Sequence, residues 1–254
     1  MSRHDNSQYT LGKIIAVWAA AAVPMGLLAW VVTPRLIPHF SLPAGIIYWL
    51  MMLVGLAWQC ALSLLIVYRE EGSINWATLQ ERMWYKNPRD PKTGEYRSAL
   101  LWWVAPFLLL RLALLELTLP DVAGSILPFL KTLPRYSMQE LATPDYEGAW
   151  WLLGLMVLHI PLNYFLGEEF LHRGVLLPKM KGVFGKWDWF ANGLLFGLYH
   201  LHKPQIIMGT ALFSGVVFSF PSRRFRCNWM AVIVHGSEGV FFFLVVLGII
   251  LGFV

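Results

Sequence analysis

Gly167-Glu168-Glu169-Phe170-Leu171-His172-Arg173 places two adjacent carboxylates, an imidazole and a guanidinium inside a long apolar run. Ionisable side chains within hydrocarbon cost about 2.5–3.5 kcal/mol each on insertion scales, so each calls for a partner or a function. At about 100° per residue along a helix, Glu169 and Arg173 are i,i+4 neighbours and are expected to form an ion pair. Glu168 and Arg173 lie about 140° apart on the same geometry, which leaves Glu168 free for chemistry. His200 stands in Phe196-Gly-Leu-Tyr-His200, and His235 opens His235-Gly-Ser-Glu-Gly239. A carboxylate beside a histidine deprotonates water, which then attacks a carbonyl. A second histidine stabilises the oxyanion by donating a hydrogen bond. Glu168, His200 and His235 are equally the ligands that a Zn2+ ion would take, lowering the pKa of its bound water. Both routes lead to amide hydrolysis, and spacing alone does not choose between them.

The elements that must position these groups are transmembrane helices. Of 254 residues, 57% are hydrophobic and 14% charged, against about 25% charged in an ordinary soluble domain. The expected class is all-α, a polytopic bundle of about seven spans forming a single membrane domain over residues 1–254. The spans are expected at Ile14–Val32, Ala44–Tyr68, Ala99–Leu117, Trp150–Leu177, Trp187–Leu201, Ile206–Phe220 and Trp229–Val254. The first run is too long for a signal-peptide core and is expected to remain as an anchor helix. Thirteen Trp and nine Tyr suit the aromatic belts of the two interfaces. From the expected span ends, Glu168, His200 and His235 lie at depths of about 15, 20 and 10 Å, compatible with one cavity.

Charge sets orientation. The net charge of +5 would fit a nucleic-acid partner, but the basic residues lie between apolar segments and form no stripe, so none is expected. With the N-terminus cytoplasmic, 14 Lys and Arg fall on the inner side and four, Arg35, Lys131, Arg135 and Lys203, on the outer side. The stretch Leu117–Leu133, interrupted by Pro120, Gly124 and Pro128, reads as interfacial or re-entrant and not as an eighth span. In Glu70–Ser98, Ser73 is the expected N-cap of an amphipathic helix on the membrane surface, with Trp76, Leu79 and Met83 on one face and Arg82 on another. Cys60 and Cys227 form neither a disulfide framework nor a cysteine metal site. No internal repeat is evident.

Glu-Glu-x-x-x-Arg at Glu168–Arg173, Phe-x-x-x-His at Phe196–His200 and a late helix with His235 together resemble the CPBP family. These are the CAAX-prenyl-endopeptidase-like and bacteriocin-processing (Abi) intramembrane proteases, and the resemblance covers about Trp150 to Gly239. It implies that Glu168 and His200 activate the water and that His235, with an Asn four residues on, forms the oxyanion hole. It also implies a membrane-associated peptide or protein substrate, prenylated or transmembrane, in a prokaryotic cell membrane. The sequence departs from the pattern at Gly239, where the Asn is usual. Losing one oxyanion donor costs about 10²–10³ in rate, so Gly239→Asn is expected to raise turnover unless Ser237, Glu238 or a water compensates. The alternative is a non-catalytic binding or immunity module of the same fold. A haem protein with His200 and His235 as axial ligands, and a proton-coupled transporter, are weaker readings.

Arg111 is expected to pair with a core carboxylate, or else to bind a substrate's terminal carboxylate. His172 is a candidate for orienting Glu168. His159 is expected to satisfy backbone groups freed by Pro161, and His202 to lie at the interface.

Overall fold

A computed structural model describes residues 7–115, 122–136, 138–203 and 213–253. Among them every regular element is helical, apart from an isolated bridge between Arg89 and Tyr96. Thr10 opens α1 (Leu11–Leu27) by accepting from the Lys13 amide, and the run continues through a wide π turn, Leu28–Val32, as far as His39. The next long helix, α2 (Ala44–Glu71), ends on Gly72 at φ +73°, a left-handed position that suits glycine. A seven-residue α3 (Trp76–Arg82) follows, then a 3-10 turn, Ser98–Trp103, leading into α4 (Val104–Leu115). In α5 (Trp151–Pro161) the closing proline lacks an N–H and crowds the carbonyl four residues back. The helix widens there into two π turns, Leu162–Gly167 and Phe170–Leu176. Beyond come α6 (Asp188–Tyr199), α7 (Phe220–Phe225) after a further π turn at Gly215–Ser219, and α8 (Trp229–Ile250).

Three runs, Leu11–His39, Ala44–Glu71 and Trp229–Ile250, are long and apolar enough to cross a membrane, as befits an integral membrane protein. They present exposed apolar side chains, among them Val23, Val54, Val240 and Phe241. Seven such helices are not present among the described residues. The fourth expected span contains Glu168, Glu169 and Arg173 and is remade by Pro161, the fifth is 12 residues before its 3-10 turn, and residues 206–212 of the sixth lie outside the described part. Of Leu117–Leu133, the described portion is a short helix, Val122–Ile126, and a 3-10 turn, Pro128–Thr132, neither long enough to span.

Glycine lets the helix that carries the two carboxylates approach α2. A Cβ on Gly167 would sit 2.4 Å from the Leu162 carbonyl oxygen and 3.1 Å from that of Leu56. Close backbone approach through small residues is how helices pack in lipid, where no hydrophobic force drives them together. Around this contact, apolar clusters gather Leu56, Trp49 and Met156 on one side and Phe170, Val175 and Met83 on another.

The surface helix expected after Glu70 is instead docked on the bundle. Asn75, and not Ser73, caps α3 by accepting from the Thr78 amide. Both Arg82 and Met83 are buried. The reason is the number of partners that Arg82 finds below it. Its Nε and NH2 both donate to Glu70 Oε2 at 2.9 Å, NH2 also meets the Tyr9 hydroxyl at 3.0 Å, and NH1 and NH2 reach the Gly174 and Val175 carbonyls, each at 3.2 Å. Glu70 in turn accepts from Tyr9 at 2.5 Å and Lys13 at 2.8 Å.

Removing one partner from a buried ion pair costs about 3–5 kcal/mol, because the other charge is stranded. Arg82→Ala is therefore expected to lower the melting temperature in detergent markedly, and Arg82→Lys to recover part of it. Thermal unfolding of the two variants measures this, and an Arg82→Ala protein as stable as the parent would contradict the docking role.

Candidate active site

The wide-turned helix delivers both carboxylates to one buried cluster. Glu169 Oε1 accepts from Arg173 NH1 at 3.1 Å, so the i,i+4 pair is present, and lies 2.9 Å from His235 Nδ1 on α8. Glu169 and Arg173 are both wholly buried. The guanidinium lies over the Phe196 ring at 4.0 Å and the Phe218 ring at 5.2 Å, aromatic faces that attract a desolvated cation. Glu168 points away from this pair, with Oε1 3.9 Å from His200 Nε2 and Oε2 3.8 Å from His235 Nε2. Glu168, Glu169, Arg173, His200 and His235, drawn from three elements, thus meet in one place.

The spacing Phe-x-x-x-His has a local cause. His200 Nδ1 lies 2.8 Å from the Phe196 carbonyl, which only accepts, so the ring donates there and a neutral His200 presents its Nε2 lone pair to Glu168. The Phe196 ring is at the same time one of the two covers on Arg173.

Backbone carbonyls around the π turns are taken by side chains. His172 Nδ1 bonds the Glu168 carbonyl at 3.1 Å, Asn228 Nδ2 that of Glu169 at 3.3 Å, and Asn192 Nδ2 that of His172 at 2.8 Å. Ser219 holds Asn192 Oδ1 at 2.8 Å. His172 therefore touches the backbone of Glu168, while His200 and His235 flank its carboxylate.

Arg111, His159 and His202 each find a partner nearby. Arg111 pairs with Glu238, NH2 to Oε2, at 3.0 Å. His159 Nδ1 accepts from Trp49 Nε1 of α2 at 3.2 Å, so that nitrogen bonds the indole and not the backbone beside Pro161. His202 is buried, its ring stacked on His200 at 5.4 Å, and does not lie in the open. Two contributors escaped the sequence reading. Gln59 donates to the Tyr199 hydroxyl at 2.8 Å, beside Glu168, and an amide in the middle of an apolar run was the available signal. Asn228 gave no signal beyond its place before α8. As for zinc, among the described residues no group of three or more His, Cys, Asp or Glu is disposed to hold a metal ion, so the metal alternative gains no geometric support there.

Gly239 is explained by Tyr164. A Cβ at position 239 would lie 2.6 Å from Tyr164 Cε2 and 2.9 Å from Cδ2, and that ring packs edge-on against His235 at 4.9 Å. An Asn side chain at this position would meet the Tyr164 ring, which already fills the space. The nearby polar group is Glu238, whose Oε2 lies 3.5 Å from His235 Nε2.

Residues 147–241 match the Rce1-like family, the type II CAAX prenyl endopeptidases. The matched stretch contains every residue of the cluster described above, and over it the chain is similar to a family of proteases, in agreement with the motif resemblance. No curated protein and no solved structure matches the chain.

Overpacking a filled core costs about 1–3 kcal/mol. Gly239→Asn alone is expected to lower the melting temperature by several degrees, and Tyr164→Ala combined with it to restore most of the loss, both read by thermal unfolding in detergent. Arg173→Ala, which leaves Glu169 with one fewer cation, is expected to be still more damaging.

Proposed function

We propose that this chain is an intramembrane endopeptidase that hydrolyses a peptide bond of a membrane-associated protein or peptide, using water activated between Glu168 and His200. The observation that carries the reading is the Glu168 carboxylate, whose two oxygens face the Nε2 atoms of His200 and His235 at 3.9 and 3.8 Å. Such gaps are too long for direct hydrogen bonds and suit one bridging water. That water donates one hydrogen to Glu168 Oε1 and one to His200 Nε2, leaving an oxygen lone pair for the substrate carbonyl. Glu168 takes the proton as the tetrahedral intermediate forms and returns it to the leaving amine. His235 Nε2 donates to the oxyanion. Because Nδ1 of the same ring donates to Glu169, it does so when the ring carries both protons. Glu169 and Arg173 hold His235 and the helix in register. Prenylated C-termini are the first substrate class to test, as the activity that gives the matched family its description.

A seven-crossing topology fits the way connections gather. The Tyr9 amide bonds the Lys179 carbonyl at 2.9 Å, the Arg89 amide bonds that of Phe225 at 2.7 Å, and Cys227 Sγ meets the Lys86 carbonyl at 3.0 Å. Each of these contacts joins two segments assigned to the cytoplasm. Gly45 with Glu140, and Gly148 with Ile250, tie the outer ends of two expected spans to an outer connection.

Two observations favour a second reading, a non-catalytic binding module: Glu238 occupies the Nε2 side of His235, and Tyr164 closes the space at Gly239. The test compares wild type, Glu168→Gln and His200→Ala, purified in detergent, on prenylated and transmembrane peptides, with products read by mass spectrometry with and without a chelator. Wild-type cleavage that falls about 10²–10⁴-fold in either variant, with melting temperatures unchanged, supports the protease. Near-wild-type cleavage by either variant overturns the water assignment, and a folded but inert wild type turns the balance to the binding module.

A further inference from the structure

Arg111 and Glu238 form an ion pair that the water-activating groups do not need. Arg111 is the eighth residue of α4 and Glu238 the tenth of α8, each well inside its helix. Charges at such depth are costly in lipid, and by default they point to a functional site. The pair is also open. The Glu238 side chain is 45% exposed and that of Arg111 14%, while Glu169 and Arg173 are sealed at 0%. Its geometry is single-pronged, Arg111 NH2 to Glu238 Oε2 at 3.0 Å, and the same Oε2 lies 3.5 Å from His235 Nε2. A guanidinium carries five N–H donors in a fork shaped for a carboxylate, and among the described residues Arg111 shows no bidentate partner.

From this geometry we infer that Arg111 is a recognition site for a carboxylate at the end of the bound peptide, and that Glu238 is its resident stand-in. In the free protein Glu238 holds the anion position and lies against His235 Nε2. An incoming peptide carboxylate takes the Arg111 fork, Glu238 turns toward the open side, and His235 Nε2 is released to face the scissile carbonyl. The substrate class is then a peptide whose free C-terminus lies a few residues beyond the cleaved bond. Only the steps after binding rest on the protease reading; the anion site stands or falls on binding alone.

The test therefore separates the two. A fluorescein-labelled farnesylated peptide ending in a CAAX tetrapeptide is prepared as the free acid and as the C-terminal carboxamide. Binding is measured by anisotropy on Glu168→Gln, in which the water base is removed, with Arg111 as Arg, Lys or Gln and position 238 as Glu or Gln. Charge-assisted recognition predicts about a 10-fold or greater preference for the acid. Arg111→Gln should abolish that preference, Arg111→Lys should keep part of it, and Glu238→Gln should tighten acid binding while leaving the amide unchanged. Equal binding of acid and amide to the parent, or a preference that survives Arg111→Gln in a protein with unaltered melting temperature, overturns the proposal. Wild type that discriminates in binding yet cleaves neither peptide would leave the anion site standing and remove the protease reading. Wild type that cleaves both peptides yet binds acid and amide equally would do the reverse.

Discussion

In hydrocarbon no water is available to backbone or side-chain polar groups, so every one of them must be answered from within the protein. The helix that carries Glu168 and Glu169 meets this demand at its most acute point. Pro161 disrupts its regular bonding, the turns widen, and the carbonyls of Glu168, Glu169, His172, Gly174 and Val175 each take a hydrogen bond from a side chain. Those donors, His172, Asn228, Asn192 and Arg82, reach it from the helix itself and from three separate places in the chain. The same answering holds for charge. Glu169 is matched by Arg173 and His235, and Arg173 is lodged between Phe196 and Phe218. The site is therefore a place where distant parts of the chain are tied together.

Wide helical turns are uncommon and recur at functional positions. Here three of them, at Leu162–Gly167, Phe170–Leu176 and Gly215–Ser219, surround the cluster. They let two neighbouring residues face different surroundings: Glu169 is buried against cations, while Glu168 looks toward two imidazoles across water-sized gaps. Two carboxylates side by side in sequence thus acquire separate duties.

Much of the site was legible in the sequence because its cause is local. The Glu169–Arg173 pair arises four residues apart on one helix, within the reach of periodicity. Arg111 could be assigned a carboxylate partner on cost alone, though not which one. What stayed hidden depends on contacts between distant segments. Arg82 lies in a polar, proline-flanked connection that reads as a surface feature, yet its donors are spent on Glu70, Tyr9 and two carbonyls some 90 positions away. The filling of the Gly239 space by Tyr164 joins residues on two helices, and no local pattern announces it.

That last contact also constrains how this protein changes by mutation. Positions 164 and 239 share a single volume beside the His235 ring, so a side chain gained at one must be lost at the other. Substituting 239 first produces a clash, and shrinking 164 first opens a void against His235; neither single step is neutral. The two residues are thus bound as a pair of letters that must be rewritten together, and the present form is separated from an amide-bearing form by a crossing of low stability rather than by a smooth path.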